Sequence, residues 1–388
     1  MRRASYTAIA LLVLVPVGAG LIGRAIGPTL VHPMRLNPDR SEQAEEMLRR
    51  TGASKEDFSV RASDGAMLRG WKIRAANATG DWVLLFHGIS DNRTGVLGPA
   101  EILLRHGYSV VMMDARAHGK SGGDMATYGW KERYDTVGVT NALFGTEHVR
   151  HLHALGISMG ASIALQSAAV NPRIESVIAE DPFADLREVS YDYAGLHLSP
   201  WLGKTLFRPA SILAMREIKK AGGFSPDEVS PVKAVAARSF PVLLICGTAD
   251  HTIPCRHALR IFQAASGPKD LWVVEGAEHA SALGRAPAEY EERVLHFLSA
   301  AGTGVRGRKQ KSGEGEAWQA VVPCSSRRSS ARSVAVPGCA CRPVLFSSAR
   351  SCLDPSPAVF LYPIAGENAV TFITRHANRC AYPARFFF

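Results

Sequence analysis

The chain has 388 residues and a formal net charge of +10, which at first sight invites a nucleic-acid-binding function. The charge is unevenly distributed, because residues 303–388 hold 12 basic and 4 acidic side chains whereas residues 1–302 hold 33 basic and 31 acidic ones. The main part of the chain is therefore almost neutral, and we expect no nucleic-acid partner.

The N-terminus carries an apolar run, residues 6–23, directly after Arg2 and Arg3. A run of about 18 residues is close to the minimum that spans a bilayer as a helix. We therefore predict a single-pass membrane anchor within residues 1–26. A signal peptide cleaved after Ala19 is the alternative and would make the protein secreted or periplasmic. The anchor is favoured because the apolar run continues past that position, while arginines on both sides of the run leave the membrane side open.

Residues 27–56 are predicted to be a proline-containing connector with one polar helix near residues 41–51. A β-hairpin follows from residue 57 to residue 75, with a Ser-Asp-Gly turn between its strands. Beyond it, short apolar strands alternate with helical segments. The predicted strands are 82–86, 108–113, 151–155, 176–179, 241–246 and 271–274. Continuous apolar strands separated by helices predict an α/β fold with a doubly wound, mostly parallel sheet over residues 57–302.

The motif that organises the chain is Gly-Ile-Ser-Met-Gly at residues 156–160, a G-x-S-x-G pattern. A predicted strand precedes it and a predicted helix reaching Val170 follows it. Small glycines allow the strand and the helix to approach closely, and they leave Ser158 in a strained conformation with its hydroxyl exposed. The pattern occurs in many loops, but this context favours a nucleophile elbow with Ser158 as the catalytic nucleophile.

The regular alternation is interrupted between residues 183 and 238, where the pattern is mostly helical and rich in aromatic residues. This segment lies between two predicted strands. It is therefore predicted to form a helical cap over the carboxyl edge of the sheet, where ligands bind in open α/β sheets. An ordinary crossover with a long loop is the alternative.

After residue 302 the alternation ends, and residues 303–388 are predicted to be a low-complexity, largely disordered tail rich in Ser, Arg, Pro and Cys. Five of the seven cysteines lie in this tail. The other two, Cys246 and Cys255, form neither a disulfide framework nor a metal-ligand pattern. Cys246 lies in an apolar strand, so we predict that it is a small buried hydrophobe.

A serine hydroxyl needs a base to take its proton, and the base needs a carboxylate that orients it. Asp250 follows the next-to-last predicted strand and His279 follows the last one, in the chain order expected after a nucleophile elbow. Asp181 is the rival acid, although its simplest role is to anchor the first helix of the cap. His251 is the rival base, but it adjoins the predicted acid and precedes the last strand.

The oxyanion that forms during acyl transfer needs preorganised N–H donors. The amide of Met159, directly after the nucleophile, is the first predicted donor. The second is the amide of Ile89, because Gly88 allows the loop after strand 82–86 to approach closely. His87 lies in the wrong loop for the triad base and is expected to be structural.

These motifs, together with Asp-Ala-Arg-Ala-His-Gly-Lys-Ser-Gly at residues 114–122, resemble the α/β-hydrolase fold family of serine hydrolases over about residues 57–300. The family has a glycine where this chain has Ala117. The N-terminal anchor and Ser-Asp-Asn-Arg at residues 90–93 resemble the membrane-anchored branch that includes Bem46-like proteins and serine aminopeptidase-like hydrolases. No residue pattern indicates a metal or an organic cofactor.

The leading interpretation is a serine hydrolase that cleaves an ester or thioester of a small-molecule or lipid-like acyl substrate. A peptidase, as in the serine aminopeptidase-like relatives, is the second interpretation. It would be favoured by an acidic pocket for a free amino terminus, but the cap segment mixes acidic and basic residues. A catalytically silent, membrane-anchored binding protein is the third, and the complete set of predicted triad residues argues against it.

Overall fold

The computed structural model describes residues 2–196 and 199–302; the tail predicted over residues 303–388 lies outside the described residues. The α-helices in these ranges are α1 (Arg2–Leu30), α2 (Ser41–Thr51), α3 (Leu97–Arg105), α4 (Glu132–Thr146), α5 (Met159–Val170), α6 (Leu186–Ala194), α7 (Pro200–Lys204), α8 (Arg208–Gly222), α9 (Pro231–Ala237), α10 (Arg256–Ala264), α11 (Ala282–Arg285) and α12 (Pro287–Gly302). The strands are β1 (Ser54–Arg61), β2 (Met67–Arg74), β3 (Asp81–Phe86), β4 (Ser109–Met113), β5 (His151–Ile157), β6 (Ser176–Glu180), β7 (Val242–Gly247) and β8 (Lys269–Val274).

The eight strands of the described ranges form one sheet in the order β1-β2-β4-β3-β5-β6-β7-β8. The hairpin β1–β2 and the pair β2–β4 are antiparallel, and all other neighbours are parallel. The predicted α/β fold with a mostly parallel sheet is therefore confirmed. The hairpin begins at Ser54, three residues before its predicted start, because the pairing Ser54↔Arg74 extends the ladder through exposed residues without an alternating pattern.

The sheet separates two apolar layers, and successive residues of a strand enter opposite layers. In β3, Leu84 packs with α4 and α5 on one side, while Val83 and Leu85 pack with α3 and α12 on the other. Met47 of α2 is buried in the second layer, so this helix of the predicted connector packs on the core of the domain. Coverage by helices on both faces explains why β6 and β7 are buried along their whole length.

Helices α6 to α9 lie between β6 and β7, in the segment for which the sequence predicts a cap. Apolar side chains of α6, α8 and the segments beside them form a third cluster, separate from the two layers on the sheet, whereas Val235 of α9 belongs to the layer that holds α4 and α5. The cluster includes Phe183, Leu186, Val189, Met215, Ile218 and Phe224. Val31, the residue after α1, is fully buried in the same cluster, so the N-terminal helix ends on the cap.

Helix α1 combines two environments along its length. By length and composition it is apolar enough to be a membrane anchor or a signal sequence. Its second half packs along α8, and the contact is close: a Cβ atom added to Gly23 would lie 2.1 Å from the carbonyl oxygen of Ala210. The helix therefore continues seven residues beyond the apolar run, to Leu30, because those residues have a partner in the cap.

Candidate active site

Ser158 lies at the junction of β5 and α5 with φ 59° and ψ −120°. A left-handed backbone at a non-glycine residue is strained, and it points the side chain away from the turn. The helix passes directly over the end of β3, since a Cβ atom added to Gly160 would lie 2.2 Å from the carbonyl oxygen of Phe86. The junction thus has the sharp strand-to-helix geometry of a nucleophile elbow.

His279 connects the two other residues that the sequence assigns to the triad. Its Nε2 lies 2.8 Å from Oγ of Ser158, and its Nδ1 lies 2.7 Å from Oδ2 of Asp250. In the tautomer that carries the proton on Nδ1, the ring donates to the carboxylate and accepts from the serine hydroxyl. The structure therefore brings Ser158, His279 and Asp250 into one hydrogen-bonded chain, although 121 positions separate the serine from the histidine.

Asp250 is buried in the loop after β7, and the loop itself holds the carboxylate in place. Its Oδ1 accepts hydrogen bonds from the backbone amides of Thr252 and Ile253, each at 2.8 Å. One oxygen is thus fixed by the backbone while the other faces the ring of His279. The rival base His251 is exposed and lies outside this hydrogen-bonded chain.

Cys246 is buried in the apolar core as predicted, but it forms a disulfide with Cys255, which was not expected from the sequence. The two residues are nine positions apart, and their Cα atoms lie 5.3 Å from each other. Cys246 belongs to β7 and Cys255 directly precedes α10, so the bridge closes the loop that carries Asp250. Sequence spacing did not reveal the pairing because the loop must reverse its direction to bring its ends together.

Asp181, the rival acid, lies beside the triad in a different role. Its Oδ2 is 3.9 Å from Nδ1 of His279 and accepts a 2.8 Å hydrogen bond from the amide of Ala280, while Oδ1 accepts one from Gly247. It therefore fastens the histidine loop to the end of β7. The expectation that Asp181 anchors the first cap helix is wrong, because Asp185 caps α6 by accepting from the amide of Glu188.

Three carboxylates and one imidazole share this buried region, which changes their protonation. Burial, followed by the negative charges of Glu180 and Asp250, raises the pKa of Asp181 to about 7. Burial also raises the pKa of Glu180, whose carboxylate accepts from Tyr290 and from the amide of Ala282. For His279, burial lowers the pKa, but the hydrogen bond and charge of Asp250 outweigh it and raise the pKa above its ordinary value.

Asp181, Asp250 and His279 could by composition hold a metal ion, because each offers a ligand atom and these atoms lie within 4.8 Å of one another. Their present contacts fit a triad better. Nδ1 of His279 is already hydrogen-bonded to Asp250, and backbone amides donate to oxygens of both carboxylates.

Four strained residues surround the site. Positive φ angles occur at Ser90 (57°), Ser158 (59°), Asp181 (50°) and Ala280 (56°), none of which is a glycine. Such conformations cost on the order of 1–3 kcal/mol each and persist where the surrounding structure dictates them, typically at functional sites. The backbone around the triad is thus held in place by its packing.

The loop proposed to supply the second oxyanion donor lies directly beside the elbow. A Cβ atom added to Gly88 would lie 3.7 Å from Cβ of Ser158, and Ile89 follows immediately. Met159, the source of the first proposed donor, begins α5. The structure thus brings both proposed donor segments to the nucleophile.

His87 lies in the same loop but outside the triad. Its Nδ1 is 2.7 Å from the carbonyl of Gly88, and its Nε2 accepts from the amide of Ala115 at 3.0 Å. Burial, followed by the neighbouring His118, lowers its pKa to about 4, so the ring is neutral near pH 7. It ties the loop of residues 87–90 to the loop after β4.

Sequence reasoning gave no role to Asp114, although the residue belongs to the motif at residues 114–122. Its buried carboxylate accepts from the guanidinium and the backbone amide of Arg93 and from the amide of Lys120. The motif therefore holds Arg93, which follows the loop of residues 87–90, against the loop after β4. Ala117 has φ 61°, which explains why a glycine suits this position in the family pattern.

The fold and the elbow define the class of protein, an α/β-hydrolase, and comparison with known proteins agrees. The family model described as "Serine aminopeptidase, S33" matches residues 78–222. Uncharacterized protein YqkD of Bacillus subtilis is 30% identical over 246 residues, which cover 62% of this chain and 78% of YqkD. Uncharacterized protein YfhR of Escherichia coli is 27% identical over 257 residues, covering 64% and 82% respectively.

Solved structures show the same architecture. The esterase Pf2001 of Pyrococcus furiosus superposes with a TM-score of 0.56 at 25% identity, covering 70% of this chain and 97% of the esterase. The α/β hydrolase GrgF from Penicillium sp. superposes with a TM-score of 0.51 at 17% identity, covering 64% and 99%. The chain therefore belongs to the α/β-hydrolase family of serine hydrolases.

Proposed function

We propose that this protein hydrolyses an ester or thioester through a Ser158–His279–Asp250 triad and an acyl-enzyme intermediate. The observation that carries the proposal is the position of His279, whose two ring nitrogens lie within hydrogen-bond distance of Ser158 and Asp250. A base must reach both the nucleophile and its orienting carboxylate at once, and this geometry meets that requirement.

In the proposed reaction, Oγ of Ser158 attacks the acyl carbon while Nε2 of His279 takes the hydroxyl proton. The amides of Ile89 and Met159 donate to the oxyanion of the tetrahedral intermediate. The intermediate collapses as the bond to the alcohol or thiol breaks, and His279 gives its proton to that leaving group. Water then attacks the acyl-enzyme with His279 again as base, the acyl–Oγ bond breaks to release the carboxylic acid, and His279 returns the proton to Oγ of Ser158. Asp250 keeps Nδ1 protonated throughout. No step requires a cofactor.

The substrate we propose is a small-molecule or lipid-like acyl compound, and the protein is held at a membrane by a single N-terminal span. Helix α1 supports the membrane assignment by its length and apolar composition. The disulfide Cys246–Cys255 beside the triad favours an oxidising compartment for the domain, because such bonds persist there and are rare in reducing ones.

A serine-directed fluorophosphonate probe tests the proposal first. We expect the probe to label the full chain at Ser158 and the labelled protein to lose hydrolysis of p-nitrophenyl acyl esters. Measuring kcat/KM on esters of increasing acyl-chain length then defines the preferred length. Absence of labelling and of ester hydrolysis would leave the silent binding protein as the better interpretation.

A peptidase is the second candidate, favoured by the family model, which carries the description of a serine aminopeptidase. Aminoacyl p-nitroanilides measured beside the esters separate the two functions. We expect the ester to have the higher kcat/KM, and a preference for the anilide with a free amino group would support the peptidase instead.

The raised pKa of His279 predicts how activity depends on pH. Only the neutral ring takes the proton from Ser158, so kcat/KM should fall with decreasing pH, with a midpoint above the ordinary histidine value of about 6.5. The pKa of Asp181 is itself about 7, so this carboxyl carries only part of a negative charge over the acidic limb. Asp181→Asn removes that partial charge, so the acidic limb of the variant should move slightly to lower pH. A pH–rate profile with a soluble ester measures both, and an unmoved limb in Asp181→Asn would contradict this electrostatic account.

A further inference from the structure

The contact between α1 and α8 has a defined direction. Three glycines of α1 face α8: Gly20 meets Pro209 and Leu213, Gly23 meets Ala210, and Gly27 meets Ala214 and Glu217. The contact positions increase together along both helices, so the two helices run parallel. At Gly23 an added Cβ atom would overlap the backbone of α8, which means that the helices touch through their main chains.

The parallel arrangement leaves the first part of α1 beyond the cap. Helix α8 begins at Arg208, beside Gly20 and Gly23, so residues 2–19 extend past its start. Eighteen helical residues are roughly 27 Å long, close to the roughly 30 Å thickness of the hydrocarbon core of a bilayer. The sequence has no charged residue between Arg3 and Arg24. Where its side chains are described, the projecting segment exposes large apolar groups such as Leu14.

The end of the cap from which α1 projects is itself apolar. Helix α7 directly precedes α8, and the amide of Phe207 donates to the carbonyl of Leu202, which folds α7 against the start of α8. Trp201 on α7 is 67% exposed, and Leu196, in the segment before α7, is 64% exposed. Tryptophan is enriched where a protein meets the membrane–water interface.

Basic side chains lie at the same level of the helix pair. Arg24 follows Gly23 and Arg208 begins α8, and both are exposed. Lys204, which ends α7, is also exposed but pairs with Glu188 at 3.0 Å. These cations lie where the projecting segment of α1 meets the cap. If the hydrocarbon region of a bilayer encloses that segment, the cations are placed to bind its anionic headgroups.

We propose that the cap rests on the surface of a lipid bilayer, with Trp201 and Leu196 at the interface and the α1–α8 pair holding them there. The occupant of this apolar end is the bilayer rather than another protein, because the surface is continuous with a helix of membrane-spanning length and is flanked by basic residues. The inference rests on the proposed membrane span of α1, but it concerns the placement of the cap and holds whether or not the triad hydrolyses esters.

Quenching of tryptophan by brominated lipid tests the contact directly. The full chain is reconstituted in vesicles of phosphatidylcholine and phosphatidylglycerol, with either plain or 6,7-dibrominated acyl chains. We expect brominated lipid to quench the emission of the wild-type protein and Trp201→Phe to remove at least about half of that quenching, as an interfacial tryptophan requires. Brominated lipid that quenches the wild-type protein and Trp201→Phe equally would show that Trp201 does not contact lipid. That result would overturn the proposal and leave a second copy or a protein partner as the occupant.

The role of the helix pair is tested with two matched substitutions in α1. Gly23→Leu places a side chain against Ala210, whereas Gly18→Leu adds the same atoms where a new Cβ meets no atom within 4 Å. Both proteins should stay in the membrane fraction. Gly23→Leu should lower the Trp201-dependent quenching about twofold or more, because the cap loses its fixed position against the span. Equal quenching in the two variants would show that α1 does not hold the cap at the bilayer.

Discussion

Ser158→Ala is expected to lower ester turnover by about 10³-fold or more while leaving the fold intact. The substitution removes the atom that bonds to the substrate. Oγ lies 2.8 Å from His279, and the side chain does not cap α5, so its loss leaves the helix start unchanged. The remaining activity would come from the oxyanion donors and substrate binding alone.

The measurement is kcat/KM on one p-nitrophenyl ester, paired with thermal unfolding of each protein. Ser162→Ala is a matched control on the same helix. The buried hydroxyl that it removes accepts from the amide of Phe183, while the hydrogen bond from Ser162 to the carbonyl of Ser158 is made by the main chain and is retained. We expect this control to lose some stability and keep its turnover. A Ser158→Ala protein that retained most of its turnover would refute the proposed nucleophile.

The elbow and the hydrogen-bonded arrangement of Ser158, His279 and Asp250 were predictable because they follow from local and topological rules. The glycines at 156 and 160 restrict a strand-to-helix turn to few geometries. Parallel strands bring their carboxyl ends to one edge of the sheet, so residues after two late strands meet there although they are far apart in sequence. The same rule places Asp250 and His279 at this edge.

What the sequence did not reveal depends on packing between distant elements. The disulfide forms because a loop reverses its direction, and no spacing rule anticipates such a reversal for two cysteines. Asp181 and Asp185 are four residues apart, and only the tertiary structure shows which of them caps α6. The pairing of α1 with α8 is equally hidden, since small residues indicate a close contact but not its partner.

Asp250→Asn is expected to lower kcat by about 10⁴-fold with the fold preserved, the scale at which neutralising a triad acid acts. A carboxylate accepts the Nδ1 proton of His279, whereas an amide can donate to Nδ1 and stabilise the tautomer that cannot accept the serine proton. One oxygen of Asp250 is held by the amides of Thr252 and Ile253, so the side-chain position should persist in the variant.

Asp181→Asn makes the same chemical change at a carboxylate oxygen 3.9 Å from Nδ1 of His279, and it is the matched control for Asp250→Asn. Its turnover at the pH optimum should fall far less, because the contacts of Asp181 are to the amides of Ala280 and Gly247 rather than to the ring. Both variants are measured on one ester, with thermal unfolding to verify the fold. If Asp181→Asn is inactive while Asp250→Asn keeps its turnover, then the carboxylate after β6, and not the one after β7, orients the catalytic histidine.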